Sequence, residues 1–413
     1  ADDSGNRADI LLVALQETCP LLLAVDVTDT ATVRHHAAWA KAVAQVLAEF
    51  GEYRLIGDER LVGIQLLAFA RADLVSKMGQ FRAGAVRCGA LGVGNKGAVA
   101  VSFVLFSTSF CLVNMHLAAG YSSGSAAERA HNFQQVVTAL RLDTPVRSSS
   151  NIERGPHCSD TDHLKSGMAS PLPWHDHEAR NVFENDVVVL AGDFNMRLWS
   201  DRAMTVPLDR ARTLTALEDE AERRRLLSDY DELCLQRAHG GTMAAFEEAP
   251  IDFAPTYKLT SLVQGSKNAG SDQVALPSAA ATAAGNSSAK SSLAKVYNET
   301  RVPAFTDRVL WRGRAGVKIQ TCAYESIAAV DFSDHRPVRL GLCIVASDIR
   351  WGELQRLCAE MRHLEMTRHF SSVDNLVPDR AHRLDSVNQF SDCALDSESY
   401  RECCWWSLAS RSR

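Results

Sequence analysis

The chain has 413 residues, 46% of them hydrophobic, and a formal net charge of −6. That is enough for one large α/β domain or two ordinary ones, and it carries no global basic signal for nucleic acid. Eleven cysteines are scattered without CxxC pairs, which argues against a zinc site or a disulfide framework and fits a reducing, cytoplasmic compartment. The longest apolar runs are too short to span a bilayer, and no signal peptide is present.

"ILLVALQE" (10–17) is an apolar run that ends in polar residues. A helix is predicted over 31–50, with Val33, Ala37, Ala40, Val43, Leu47 and Phe50 on one face. Strands are predicted at 61–70, 97–106 and 109–116 from their Val, Leu and Phe content. "SAAE" (125–128) reads as a capping box with Ser125 as N-cap, opening a helix through Ala130, Phe133, Val137 and Leu140.

Residues 143–180 show no period and read as an insertion. "VVVLAGDFNMRL" (187–198) is a strand ending in alternating polar groups, so Asp193, Asn195 and Arg197 are expected to face one spot. Gly192 before them would allow a close backbone approach. An Arg- and Glu-rich helix near 211–227 is followed by a second loose segment, 259–297. Strands resume at 307–312, 317–324 and 336–345, and then a helix with Leu354, Leu357 and Met361. The last 45 or so residues read as irregular. Within them "CCWWS" (403–407) offers a weaker alternative, a lipid-interface or acylation segment. Adjacent strand pairs outnumber strict βαβ units, so the fold class is mixed α/β, or α+β, and largely antiparallel.

Five strand ends carry chemistry: Glu17; Asn114 and His116; Asp193 and Asn195; Asp307 and Arg308; Asp334 and His335. Singly, each is more often structural than functional. Together they supply carboxylate and amide oxygens without zinc-ligand spacing, which suits Mg²⁺. "GVGNKGAV" adds Lys96, "PTYK" adds Tyr257 and Lys258, and "TRVPAF" adds Arg301. Cations beside a hard-metal site point to a phosphorylated substrate.

"GNKGAVAVSF", "FCLVNMHLAAG", "GDFNMRL", "FAPTYK", "RVPAFTDRVLW" and "SDHRPV" occur in an order that resembles the catalytic domain of inositol polyphosphate 5-phosphatases, across roughly 8–345. The resemblance implies the wider endonuclease/exonuclease/phosphatase superfamily and its DNase I-like four-layer sandwich: two mostly antiparallel sheets flanked by helices, with the site at one end. It implies a domain over 1–345 and a C-terminal helix and tail over 346–413. It makes Glu17 a Mg²⁺ ligand, with Asp334 beside the metal. Asp193 becomes the base for the attacking water, and Asn195 the amide on the scissile phosphate. His335, paired with Asp307, and His116 become the phosphate-contacting histidines. Lys96, Tyr257, Lys258 and Arg301 grip the other phosphates of the ring. The implied partners are phosphoinositide lipids or soluble inositol phosphates, with peripheral membrane contact and no nucleic acid.

Some residues depart from that pattern. The family's opening Trp-Asn strand has no counterpart before residue 8: either the sequence is truncated there or the site lacks one ligand, and a lost first strand would expose a sheet neighbour to solvent. Glu299 stands where the family has Lys, Ala98 replaces a glycine, and Phe305-Thr306 replace Trp-Cys, a change expected to matter mainly for packing. The competing readings are a nuclease or sphingomyelinase of the same superfamily and an inactive phosphoinositide-binding scaffold.

Overall fold

A computed structural model describes residues 7–19, 30–89, 95–146, 180–260, 296–330, 332–347, 356, 360–361 and 400–411. The strands of the two large sheets are β1 (Ile10–Gln16), β2 (Tyr53–Leu61), β3 (Ile64–Arg71), β4 (Met78–Arg87), β5 (Gly97–Leu105), β6 (Thr108–His116), β7 (Thr144–Pro145), β8 (Val187–Asp193), β9 (Asp307–Gly313), β10 (Ile319–Ser326), β11 (Val338–Ser347) and β12 (Tyr400–Arg411), and Arg141–Leu142 pairs with Arg180–Asn181 apart from them. The helices that cover them include α1 (Thr30–Ala48), α2 (Ser123–Ala139) and α3 (Glu232–Ala238).

Two six-stranded sheets form, in the orders β10-β11-β12-β1-β3-β2 and β9-β8-β6-β5-β4-β7. Alternation within each strand divides the side chains between two faces. Ile10, Leu12 and Ala14 of β1 meet Phe110 and Leu112 of β6, Val187, Val189 and Ala191 of β8, and Val309 and Trp311 of β9 in the core between the sheets. The alternate residues face outward. Val113, Met115, Val188 and Leu190 pack under Phe133, Val136 and Val137 of α2 and Leu233 of α3. Val13, Leu15, Leu67 and Phe69 pack under Trp39, Ala40, Val43 and Leu47 of α1. The layers are therefore helix, sheet, sheet, helix, the expected four-layer sandwich.

Several local expectations are corrected. On α1 the packing stripe is Trp39, Ala40, Val43 and Leu47, while Val33 and Phe50 are exposed. The N-cap of α2 is Ser122, whose side chain accepts from the Ser125 amide. The helix near 211–227 is two short pieces, Arg210–Ala216 and Glu220–Arg225, interrupted by Asp219, which caps the second. The bulk of both insertions and of the helix expected around Leu354–Met361 lies outside the described residues.

The largest correction concerns the tail. Residues Tyr400–Arg411, expected to be irregular, form β12 in the middle of the first sheet. It runs parallel to β1, from Ile10↔Trp405 to Gln16↔Arg411, and antiparallel to β11, from Val338↔Ala409 to Ser347↔Tyr400. The strand thus sits between β1 and β11, hydrogen-bonded to both.

Candidate active site

Register brings the chemistry together. Asp193, the last residue of β8, lies opposite His116 on parallel β6 and Asp307 on antiparallel β9, and His116 in turn lies opposite Gly97 of β5. His116, Asp193 and Asp307 continue the phase of the inter-sheet residues of their strands, so their side chains close one end of the sandwich. Gly192 is required by the sheet itself. Its φ is +144°, and a Cβ there would lie 1.9 Å from the Met115 carbonyl oxygen. The close approach foreseen at this glycine is made by the neighbouring strand.

The pocket floor is fully buried. Asp307 Oδ2 accepts from Thr256 Oγ1 at 2.6 Å and from Thr306 Oγ1 at 2.8 Å, and lies 2.9 Å from His335 Nδ1. Thr306 therefore acts on the Asp307 carboxylate, beyond the packing role expected of it. Asp193 accepts from the Asn195 backbone amide at 2.9 Å and from its Nδ2 at 3.0 Å. Asn195 Nδ2 also donates to the Leu117 carbonyl at 3.1 Å, and its Oδ1 accepts from Arg197 Nη2 at 2.6 Å. The convergence of Asp193, Asn195 and Arg197 holds, but strand alternation does not cause it. The strand ends at Asp193, and Asn195 has a φ of +56°. A left-handed residue, tolerable for Asn, turns the chain back on the carboxylate.

His116 Nε2 lies 3.2 Å from Asp193 Oδ2 and 2.5 Å from Lys96 Nζ. One ring nitrogen cannot donate to Asp193 and accept from Lys96 at once, so the protonation of His116 selects its partner. Lys258 Nζ is 3.0 Å from Asp334 Oδ2. Above the floor, cations and rings alternate. The Arg301 guanidinium lies 5.3 Å from the Tyr121 ring, Arg197 is 4.5 Å from both Tyr121 and Tyr257, and the Tyr257 and His335 rings are 4.6 Å apart. Burial raises the Tyr121 hydroxyl above its ordinary value, partly offset by Arg197, so Tyr121 is neutral and donates to the Val302 carbonyl at 3.4 Å.

Glu17 follows β1 with a φ of +53°. It reaches the same end of the sandwich, because Gln16 Nε2 donates to Asn114 Oδ1 of β6 at 2.6 Å, two residues before His116. Asp193, Asp307 and His335 offer ligand atoms within 4.8 Å of one another. Neither Glu17 nor Asp334 belongs to that cluster. Two buried carboxylates and an imidazole suit a divalent cation with oxygen preference.

Sequence reasoning missed Tyr121, Thr256 and the support beneath them. Arg129 Nε and Nη2 donate to Glu232 at 2.7 Å each, and Arg129 Nη1 donates to the Ala118 and Gly120 carbonyls. Glu232 also accepts from Trp199 Nε1 and the Arg197 amide. Arg308, grouped at first with the reactive residues, is structural: it is buried between Asp231 and Glu248.

The model of the Endonuclease/Exonuclease/phosphatase family 2 matches residues 2–341. The chain belongs to this family. Among its relatives, the Type I inositol polyphosphate 5-phosphatase 5 of Arabidopsis thaliana is 29% identical over 287 residues, 69% of this chain and 42% of that protein. Synaptojanin of Caenorhabditis elegans is 28% identical over 333 residues, 80% of this chain and 23% of that protein. The chain therefore spans less than half of either relative. The crystal structure of the inositol polyphosphate 5-phosphatase domain of SPsynaptojanin, in complex with inositol (1,4)-bisphosphate and calcium ion, superposes with a TM-score of 0.59 at 24% identity, covering 90% of this chain and 84% of that one. This endonuclease/exonuclease/phosphatase chain thus shares the DNase I-like fold of a 5-phosphatase domain.

Proposed function

We propose that this chain is a divalent-metal-dependent phosphatase that hydrolyses the 5-phosphate of phosphoinositides or soluble inositol polyphosphates. The observation that carries the reading is the buried row of His116, Asp193 and Asp307, closed by His335, in a chain whose relatives are 5-phosphatases. Asp193 orients and deprotonates the attacking water. The two hydrogen bonds from Asn195 fix both of its oxygens, so the base is positioned before substrate arrives. Both amide hydrogens of Asn195 are engaged, so its work is to hold Asp193 in line with the phosphate. Asp307 fixes the His335 ring through Nδ1, and the imidazole meets the phosphate through Nε2.

Lys96 and His116 take the charge of a phosphate oxygen, and a phosphate there relieves their competition for one proton. Tyr257, Lys258 and Arg301 hold the remaining ring phosphates. Glu17, with Asp334 beside it, would hold Mg²⁺, which when bound would polarise the scissile phosphate and neutralise the departing alkoxide. No side chain needs to become phosphorylated. A cytoplasmic site of action with peripheral contact to membranes accords with such substrates, and no helix among the described residues is long and apolar enough to cross a membrane.

Phosphate release from short-chain phosphatidylinositol 4,5-bisphosphate and from inositol 1,4,5-trisphosphate, with Mg²⁺ and with chelator, tests this reading. Metal-dependent release is expected, with Asp193→Ala lowering kcat by about 10²–10⁴-fold. Binding of either compound without turnover would overturn the phosphatase and leave a phosphoinositide-binding module.

A further inference from the structure

The thiols of the described residues fall into two classes. Cys19, Cys88 and Cys111 are buried. Burial pushes the Cys88 thiol up to about 11, and those of Cys111 and Cys234 up to about 12, which withholds the nucleophilic thiolate. Cys322 and Cys343 differ. Cys322 is exposed and Cys343 half-buried, on the adjacent antiparallel strands β10 and β11. The ladder shifts register between Thr321 and Ala323, so Cys322 is the extra residue of a β-bulge. A bulge re-aims a side chain out of the regular alternation. Here it brings Cys322 Sγ to 2.7 Å from Cys343 Sγ. That is about 0.7 Å longer than a disulfide bond of roughly 2.05 Å.

We propose that Cys322 and Cys343 form a redox modification site that a two-electron oxidant, such as hydrogen peroxide, closes into an intrachain disulfide. The thiolate of exposed Cys322 attacks the peroxide O–O bond, giving a sulfenic acid and one water. Cys343 sulfur then displaces the sulfenic oxygen as a second water, so two thiols and one peroxide yield one disulfide and two waters. The bond ties the edge strand β10 to β11. Both strands adjoin the site. β11 leaves directly from the segment carrying Asp334 and His335, and Tyr324 of β10 accepts from the Val309 amide on β9. A thiol donor reopens the bond, as expected for a bridge formed in a reducing compartment.

Trypsin separates the partners into peptides 319–339 and 340–350, with Cys403 and Cys404 in a third, 402–411. The full chain is treated with one to ten equivalents of peroxide, alkylated, digested without reductant and analysed by mass. The expected product is peptide 319–339 linked to 340–350, lost on treatment with dithiothreitol and absent in Cys322→Ser. Recovery of both peptides fully alkylated would overturn the proposal. So would oxygen addition that dithiothreitol does not reverse, or a link from 340–350 to 402–411, since Cys404 lies opposite Cys343 in register.

Discussion

Thr306 carries one of two hydroxyls that converge on a single oxygen of Asp307. A carboxylate with two donors on Oδ2 is fixed in rotation, and through His335 Nδ1 it fixes the imidazole. Thr306→Val keeps the volume and removes one donor. We expect kcat to fall about tenfold with KM little changed, corresponding to roughly 1.4 kcal/mol, as steady-state kinetics would read it. His36 offers a second test at this scale. It is buried beside Thr18, with Nε2 2.9 Å from Thr18 Oγ1, and burial together with the Arg60 charge lowers its pKa to about 4. The unfolded chain therefore binds a proton near pH 6.5 that the folded chain refuses until about pH 4. Stability from this group is complete above pH 6.5 and is lost as pH falls to 4. Allowing for solvent screening, we expect a loss of about 2 kcal/mol across that window, absent in His36→Gln, from urea midpoints measured at each pH.

At the scale of elements, the site rests on α3. Glu232 on its first turn holds Arg129 of α2, the Trp199 indole and the Arg197 amide, while its N-cap Asp231 holds Arg308 of β9. Glu232→Gln leaves the Arg129 guanidinium buried without its counter-charge, and removing one partner of such a pair costs about 3–5 kcal/mol. A lowered urea midpoint at unchanged slope would show it. The same network explains what the sequence concealed. His116, Asp193, Asp307 and His335 were legible because each ends or begins an apolar run. Tyr121, Thr256 and Thr306 carry no such mark, and only tertiary contact gives them work. β2 went unrecognised because Asp58, Glu59 and Arg60 interrupt its pattern. Asp58 pairs with Arg60 and accepts from Gln65 Nε2 at 2.9 Å, so polar groups are satisfied inside the layer instead of facing water. β4 went unrecognised because of Gly79 and Gly84. At Gly84 a Cβ would lie 1.9 Å from the Arg141 carbonyl oxygen, so the glycine there marks close packing, not a turn.

For the whole molecule, adjacent pairs of apolar strands were enough to anticipate a mixed, largely antiparallel α/β fold, and two packed sheets with the site at one end were anticipated only through the resemblance to 5-phosphatases. The order of the first sheet was not legible, because pairing between Ile10–Gln16 and Tyr400–Arg411 leaves no local trace in either segment. Removing residues 400–413 divides that sheet into β10-β11 and β1-β3-β2, deleting seven register pairs with β1 and ten with β11. We expect the shortened chain to lose its cooperative melting transition and to associate through the exposed edges, as calorimetry and light scattering would record.

The position of β12 also sets a timetable for synthesis. β1 leaves the ribosome before β12, its parallel partner, which begins 384 residues after Gln16. At about 5–20 residues per second, the interval is roughly 20–80 s. For that time one flank of an apolar strand is open to any nascent chain nearby, while the second sheet, with β5 and β6 joined by a short turn, can already close. The sheet that carries Glu17 is then sealed after the other, and the demand for chaperones falls in the gap between the synthesis of β1 and that of β12.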